Sequence, residues 1–406
     1  MQRLLLPGIP NIHSHAFQRA MAGLAERQGD PRDSFWTWRE LMYRFAGRVT
    51  PDSLRDIAAQ LYVEMLEAGY TSVCEFHYLH HQADGRPYAD PAAMSLALVD
   101  AARETGIRLT LLPVLYMQGG FDGRALSDRQ RRFGHDVDGF LRLVAALRTH
   151  EDARLRVGIA LHSLRAVPPD AMRAVLADPA AGAGPVHIHV AEQEAEVDEC
   201  LAVRGARPVQ WLLANAPVDP RWALVHATHV QPDEVQGIAA RGAVVALCPT
   251  TEANLGDGLF PLRDFMEAGG RFGIGSDSNV SVSPVEELRW LEYGQRLVER
   301  QRNIAARPGL PSVGESLVVH AVAGGRQASG LDAADADEIE LDGEALSLAG
   351  AAEADLHDRF VFAGNRALVR EVRVAGEHVV QSGRHPKGEA IAARYRRAVR
   401  ALLCDG

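Results

Sequence analysis

Apolar residues fall into two alternating textures along the chain. Short β-rich runs, GIPNIH, TSVCEF, IRLTLLPVL, LRVGIAL, VHIHVA, WALVHA, AVVALC and RFGIGSD, are separated by longer stretches in which apolar positions recur every three or four residues. Those stretches carry helix punctuation. Thr50-Pro51-Asp52 opens DSLRDIAAQLYVEMLEAG and Asp90-Pro91 opens AAMSLALVDAARETG, each closing on glycine. Eight strands alternating with helices predict a (β/α)8 barrel, with a doubly wound open sheet as the competing fold. The barrel is preferred because polar residues end the first, fifth, sixth and eighth runs, and only a closed sheet brings those ends to one mouth. Beyond about residue 330 the pattern shortens to ADLHDRFVFAG and ALVREVRVAGEHVV, then a basic tail EAIAARYRRAVRALL. This predicts a barrel over 8–330, a small β domain over 331–385 and a C-terminal helix over 386–406 whose basic residues form a solvated face.

Composition narrows the function classes. The 406 residues are 47% hydrophobic and 24% charged, an ordinary globular balance, and the net charge of −10 argues against a nucleic-acid surface, which needs a basic field. Cys74, Cys200, Cys248 and Cys404 are far apart, with no C-x-x-C pair, so neither a disulfide framework nor a thiolate zinc site is indicated and a cytoplasmic setting is expected. The opening MQRLLLPGIPNIHSHAF is too short an apolar run for a signal sequence, and no stretch approaches a membrane span. No Gly-rich phosphate loop is present.

Four segments carry candidate chemistry. In His13-Ser14-His15 the two imidazoles fall on one side of an extended strand, so they can clasp one ion; an isolated H-x-H is more often a pair of structural histidines. His187-Ile188-His189 repeats the spacing, with Glu192 three residues on; His187 is read as the structural member and His189 as the ligand. His226 ends the sixth run, and Asp277, in GSDS after the eighth, is by itself most often a turn former or helix cap. Taken together in barrel order, the four predict a metal centre. His77, His80 and His81 in FHYLHH are read as polar rim surface rather than a second metal site, and Glu75 as a carboxylate that orients a ligand histidine. Arg39 and Arg165 are the arginines expected near the mouth, with Gln18, Tyr78 and His162 as polar neighbours.

The ordered set H-x-H, His, His and Asp resembles the amidohydrolase superfamily. NIHSHAFQRAMAGLAER, SFWTWRELMYRF, CEFHYLHH, LHSLRAV and HVAEQEAEV narrow the likeness to its formiminoglutamate deiminases, from about residue 7 to beyond residue 300. The resemblance implies a metal-dependent (β/α)8 barrel with a small β-sandwich appendage. It implies His13, His15, His189 and Asp277 as ligands of one divalent ion, zinc by default, with Glu192, His226 and Asp277 as catalytic groups. Gln18, Arg39, Tyr78, His162 and Arg165 match the family's substrate-binding positions, and bidentate arginine suits a dicarboxylate. The implied substrate is N-formimino-L-glutamate, attacked at its formimino carbon by hydroxide formed at the metal, with Glu192 protonating the departing nitrogen. A homodimer is compatible with the family, and no nucleic-acid or membrane partner is expected. These enzymes usually carry several dozen residues before H-x-H, so 1–7 is read as the remnant of an N-terminal β segment and the C-terminal strands are expected to have exposed edges. A related deaminase acting on a purine, pyrimidine or triazine, and a non-catalytic binding barrel, are the alternatives.

Overall fold

The computed structural model describes residues 3–27, 35–331 and 337–404. The first strand, β1 (Leu5–Pro7), belongs to the small sheet, and the eight sequence runs then follow in order. They are β2 (Ile9–Ser14), β3 (Tyr70–His77), β4 (Arg108–Leu115), β5 (Leu155–Val157) with β6 (Ile159–Ser163), β7 (Val186–Val190), β8 (Trp222–His226), β9 (Val244–Leu247) and β10 (Arg271–Ile274). The fourth run is one strand interrupted at Gly158. All pairings are parallel and the ring is closed, β3 pairing with β4 on one side and with β2 on the other. The barrel expected from the runs is therefore the observed fold.

Parallel strands with helices outside and packed side chains inside are buried on both faces. That is why β2, β3, β4, β7 and β8 are buried at every position and read as near-continuous apolar runs. The outer helices begin where the sequence punctuation placed them. In Pro51–Ala68 the Thr50 hydroxyl accepts from Ser53 N, and the chain leaves at Gly69 with φ 106°, a left-handed conformation that favours glycine.

The ring closes where β10 meets β2, and closure builds the site. Register Ile274↔Asn11 continues into an isolated bridge between Ser14 and Asp277; Asp277 N donates to His13 O at 2.9 Å and His15 N to Asp277 O at 3.0 Å. A buried amide network clamps the seam: Asn11 Nδ2 donates to Ser276 Oγ at 2.6 Å, Ser276 Oγ to Asn279 Oδ1 at 2.6 Å, and Asn279 Nδ2 to His15 O at 3.1 Å.

The small sheet is antiparallel, in the order β1, β11 (Glu338–Leu341), β12 (Val369–Val374), β13 (Glu377–Val380). Its edges are β1, three residues ending in Pro7, and β13; a short strand and a proline both blunt an edge. The buried pair Arg108–Asp337, 3.1 Å, ties the sheet to β4, and Asp337 Oδ1 also accepts from Ala375 N at 2.9 Å. The helix Gly388–Cys404 packs on Pro51–Ala68, burying Ile391 and Leu402, while Arg396, Arg397 and Arg400 stay exposed as the expected solvated face and Arg394 pairs with Asp56 at 2.9 Å and Glu104 at 2.7 Å. Among the described residues no helix is long and apolar enough to cross a membrane.

Candidate active site

At the carboxyl end of the barrel β2 contributes His13 and the adjoining His15, β7 contributes His189, β8 ends on His226, and Asp277 lies three residues beyond β10. His226 (φ 67°) and Asp277 (φ 46°) adopt the left-handed conformation rarely taken by side-chain-bearing residues, as does Ala191 (φ 53°) next to Glu192. The strand ends turn abruptly and throw these side chains across the mouth.

His13 Nε2 lies 3.4 Å and His15 Nε2 3.3 Å from Asp277 Oδ1, and His189 Nε2 lies 3.0 Å from His13 Nε2. His15 Nδ1 faces Phe76 O at 2.9 Å and His189 Nδ1 faces His162 O at 3.1 Å. Donating there fixes the tautomer and leaves each Nε2 as a lone pair aimed inward. Such separations match the edge, about 3.3 Å, of a tetrahedron with 2.0–2.1 Å metal–nitrogen bonds. The ligand atoms of His13, His15 and Asp277 lie within 4.8 Å of one another, as do those of His13, His189 and His226, so His13 joins two overlapping groups rather than one closed set of four. His13 Nδ1 is buried with no hydrogen-bond partner among the described residues. The donor set of neutral imidazoles and one carboxylate fits a borderline divalent ion.

Electrostatics agree with that fit. Burial pushes the His13 imidazole down to about 3, lowers His15 and drives His189 well below its usual range, so all three are neutral at neutral pH, the form that binds metal. Burial alone would raise Asp277, but the hydrogen bond with His13 and the charge of His226 hold it below the usual carboxylate range. Glu192 is raised to about 7 by burial, with His226 opposing. His226 goes the other way: desolvation is outweighed by Glu192, Glu252 and Asp277, which lift it to about 10.

His226 is the hub of these acids. Its Nε2 is 3.8 Å from Glu192 Oε1 and 3.8 Å from Asp277 Oδ2, and its Nδ1 is 3.2 Å from Glu252 Oε1. Glu252, which also accepts from Cys248 N at 2.9 Å, escaped the sequence reading. It sits in the helix Pro249–Leu255 after β9, and the carboxylate five residues past the strand in CPTTE is the available signal. The turn carrying Glu192 is pinned by Glu196, which accepts from Ala191 N at 3.2 Å and Glu192 N at 3.1 Å.

A pocket partly open to solvent stands over this centre. Gln18, Arg39, Tyr78, His162 and Arg165 all line it together with Glu192, His226 and Asp277, so the structure brings every sequence-derived candidate except the deeper His13 to the same wall. Gln18 Nε2 donates to Tyr78 Oη at 2.9 Å and Arg39 Nε to Tyr43 Oη at 2.8 Å. The Arg165 guanidinium has no ion-pair partner among the described residues. Tyr43, Tyr116 and Phe133 complete the wall and were not anticipated. Of the segment FWTWR, Trp38 and Arg39 face the cavity, whereas the side chains of Phe35, Trp36 and Thr37 lie outside the described residues.

Two expectations need correction. His77 and His80 are buried, not rim surface, and His80 Nε2 and His81 Nε2 face the carbonyls of Val114 (2.9 Å) and Gly134 (2.7 Å), because the loop after β3 folds under the one after β4. Glu75 orients no ligand imidazole; it accepts from Ala16 N and from Tyr62 Oη at 3.3 Å, fixing the chain just past His15, and His15 is oriented by the Phe76 carbonyl instead. His187 has the structural role expected of it, with Nε2 2.8 Å from Ala328 O.

Sequence and structure comparisons agree with this geometry. The chain is 54% identical to the formimidoylglutamate deiminase of Pseudomonas aeruginosa, over 98% of this chain and 89% of that protein. It is 28% identical to a 5-methylthioadenosine/S-adenosylhomocysteine deaminase of Natronomonas pharaonis, over 93% and 81%. The crystal structure of an amidohydrolase from Brucella melitensis superposes with a TM-score of 0.93 at 46% identity, covering 98% of this chain and 90% of that one. The model of the amidohydrolase family matches residues 4–310, and the chain belongs to that family.

Proposed function

We propose that the protein hydrolyses N-formimino-L-glutamate to N-formyl-L-glutamate and ammonia, a cytoplasmic step of histidine degradation. The observation that carries this reading is that Arg39 and Arg165 line the same cavity as Glu192, His226 and Asp277. A linear amidine bearing two carboxylates presents its anionic groups to guanidinium forks while its formimino carbon meets the acid cluster. An aromatic base has no use for two such cations. The high identity to a formimidoylglutamate deiminase supports the same substrate.

His13, His15, His189 and Asp277 would hold one divalent ion, zinc in this reading. When bound, such an ion acts as a Lewis acid and makes hydroxide available near neutral pH. The remaining chemistry belongs to the chain. Asp277, kept ionised by the surrounding imidazoles, takes the proton of the attacking water, and His226 orients that water through Nε2. Glu192, whose raised pKa lets it carry a proton at neutrality, delivers it to the terminal formimino nitrogen as the oxygen adds; the proton held by Asp277 then passes to the same nitrogen, the new hydroxyl returns its proton to Glu192, the carbon–nitrogen bond breaks and ammonia leaves. Arg39 and Arg165 bind the carboxylates, with Gln18, Tyr78 and His162 completing the polar wall. The same reading divides the chain into a remnant β segment over 1–7, the catalytic barrel over 8–330, a small β domain over 331–385 and the terminal helix over 386–406.

The test is ammonia release by metal-replete protein from N-formimino-L-glutamate beside guanine, cytosine and adenosine. Release from the amidine alone is expected; release from a base and none from the amidine overturns the substrate.

A further inference from the structure

Tyr116, immediately after β4, lines the cavity with its ring edge-on to His162, centroids 4.4 Å apart. Its hydroxyl is held in one role. Gln130 Nε2 donates to Tyr116 Oη at 2.9 Å, and the Gln130 amide cannot turn over, because its Oε1 already accepts from Ser127 N at 3.0 Å and Ser127 Oγ at 2.9 Å. Both Tyr116 and Gln130 are buried. The phenol oxygen is therefore an acceptor toward Gln130, and its own proton has no acceptor among the described residues. Leaving a buried donor unused costs free energy, so the site is built for an acceptor that arrives with a ligand.

The charge beside it says what that acceptor is. Arg165 lines the same cavity without an ion-pair partner among the described residues, and Tyr116 is among the groups that act on its charge, after burial and Glu196. A carboxylate offers two acceptor oxygens and a negative charge, so it satisfies the phenol proton and the guanidinium together, whereas a carboxamide has one acceptor oxygen and no charge for Arg165.

We infer that Tyr116 is a specificity-determining residue that donates its phenol proton to a substrate carboxylate beside Arg165, with Gln130 as the positioning residue that aims it. The inference rests on the dicarboxylate reading above. Tyr43, whose Oη accepts from Arg39 Nε, shows the same arrangement on the other arginine, but there the donor is itself a ligand-binding candidate and the two effects do not separate.

Calorimetry with the product N-formyl-L-glutamate tests this without requiring turnover, using metal-loaded wild-type protein, Tyr116→Phe and Gln130→Ala. Two ligands lacking one carboxylate, N-formyl-L-glutamine and N-formyl-4-aminobutyrate, serve as controls. A hydrogen bond to a charged group predicts a loss of about 10- to 100-fold in affinity for the dicarboxylate in Tyr116→Phe. That loss should vanish for whichever control lacks the carboxylate Tyr116 serves, and Gln130→Ala should show a smaller loss with the same ligand selectivity. In turnover, KM for N-formimino-L-glutamate should rise by the same factor with kcat within about threefold of wild type. Unchanged affinity in Tyr116→Phe, or an equal loss for all three ligands, overturns the inference; if Tyr116→Phe does not fold, Gln130→Ala decides by the same criterion. Wild-type protein that binds the dicarboxylate but releases no ammonia from the amidine removes the proposed reaction and leaves Tyr116 to be judged by affinity. Wild-type protein that binds no dicarboxylate overturns both.

Discussion

Glu192 and Asp277 are two carboxyl groups at one site whose surroundings drive them apart: burial lifts the first to about 7, while the hydrogen bond with His13 and the charge of His226 hold the second below the carboxylate range. Separation of that kind lets one group carry a proton while the other stays a carboxylate. Glu192→Gln is expected to lower kcat by about 10²- to 10⁴-fold, the usual worth of a general acid or base, with metal content unchanged by elemental analysis. The sign of the pH effect follows from the raised value. Glu192 keeps its proton below about pH 7 and loses it above, so wild-type kcat should fall on an alkaline limb near 7 that the residual activity of Glu192→Gln lacks; a persisting limb would assign it to another group. Asp277→Asn should lose both metal and activity, and a metal-replete, active variant would remove Asp277 from the chemistry.

At the scale of elements, the seam between β2 and β10 is where fold and site become one object. A methyl group at Gly275 would stand 2.7 Å from His13 Cβ and 2.9 Å from both His13 N and O, and backbone atoms cannot step aside as a side-chain tip can. Gly275→Ala should therefore part the two strands, costing about 1–3 kcal/mol as overpacking does. It should also weaken metal retention, since Asp277 and His13 are bonded across this seam. Urea unfolding and metal content measured on the same sample check both; normal metal binding in a destabilised variant would show that the seam supports the barrel without setting the centre. The loops after β3 and β4 also depend on what packs against them. FHYLHH looks like polar surface because histidine is common there, yet His80 is buried, since the loop bearing Arg132 and Gly134 closes over it and supplies carbonyl acceptors.

For the whole molecule, two tests probe what joins the parts. Asp337→Ala removes one partner of the buried Arg108 and the acceptor of Ala375 N, and removing one member of a buried pair costs up to about 3–5 kcal/mol. The expected result is a lower thermal midpoint with intact metal binding, because the pair lies between β4 and the small sheet. Chelation should lower the midpoint as well, since an ion that binds only the folded state stabilises it by mass action, and readdition should restore it. The sequence by itself determined the eight barrel strands and the residues His13, His15, His189, His226 and Asp277 that end them. Burial on both faces writes a strand as a continuous apolar run, and a polar residue at its end is conspicuous. It also placed Glu192, three residues past one such end. Only the tertiary structure decided that Glu252 grips His226, that Gln130 aims Tyr116, that Arg165 goes without an ion-pair partner among the described residues, and that the basic tail packs on Pro51–Ala68. Strand periodicity is local and survives in the linear code, whereas a hydrogen bond or a desolvated charge is defined by groups that folding brings together from distant parts of the chain.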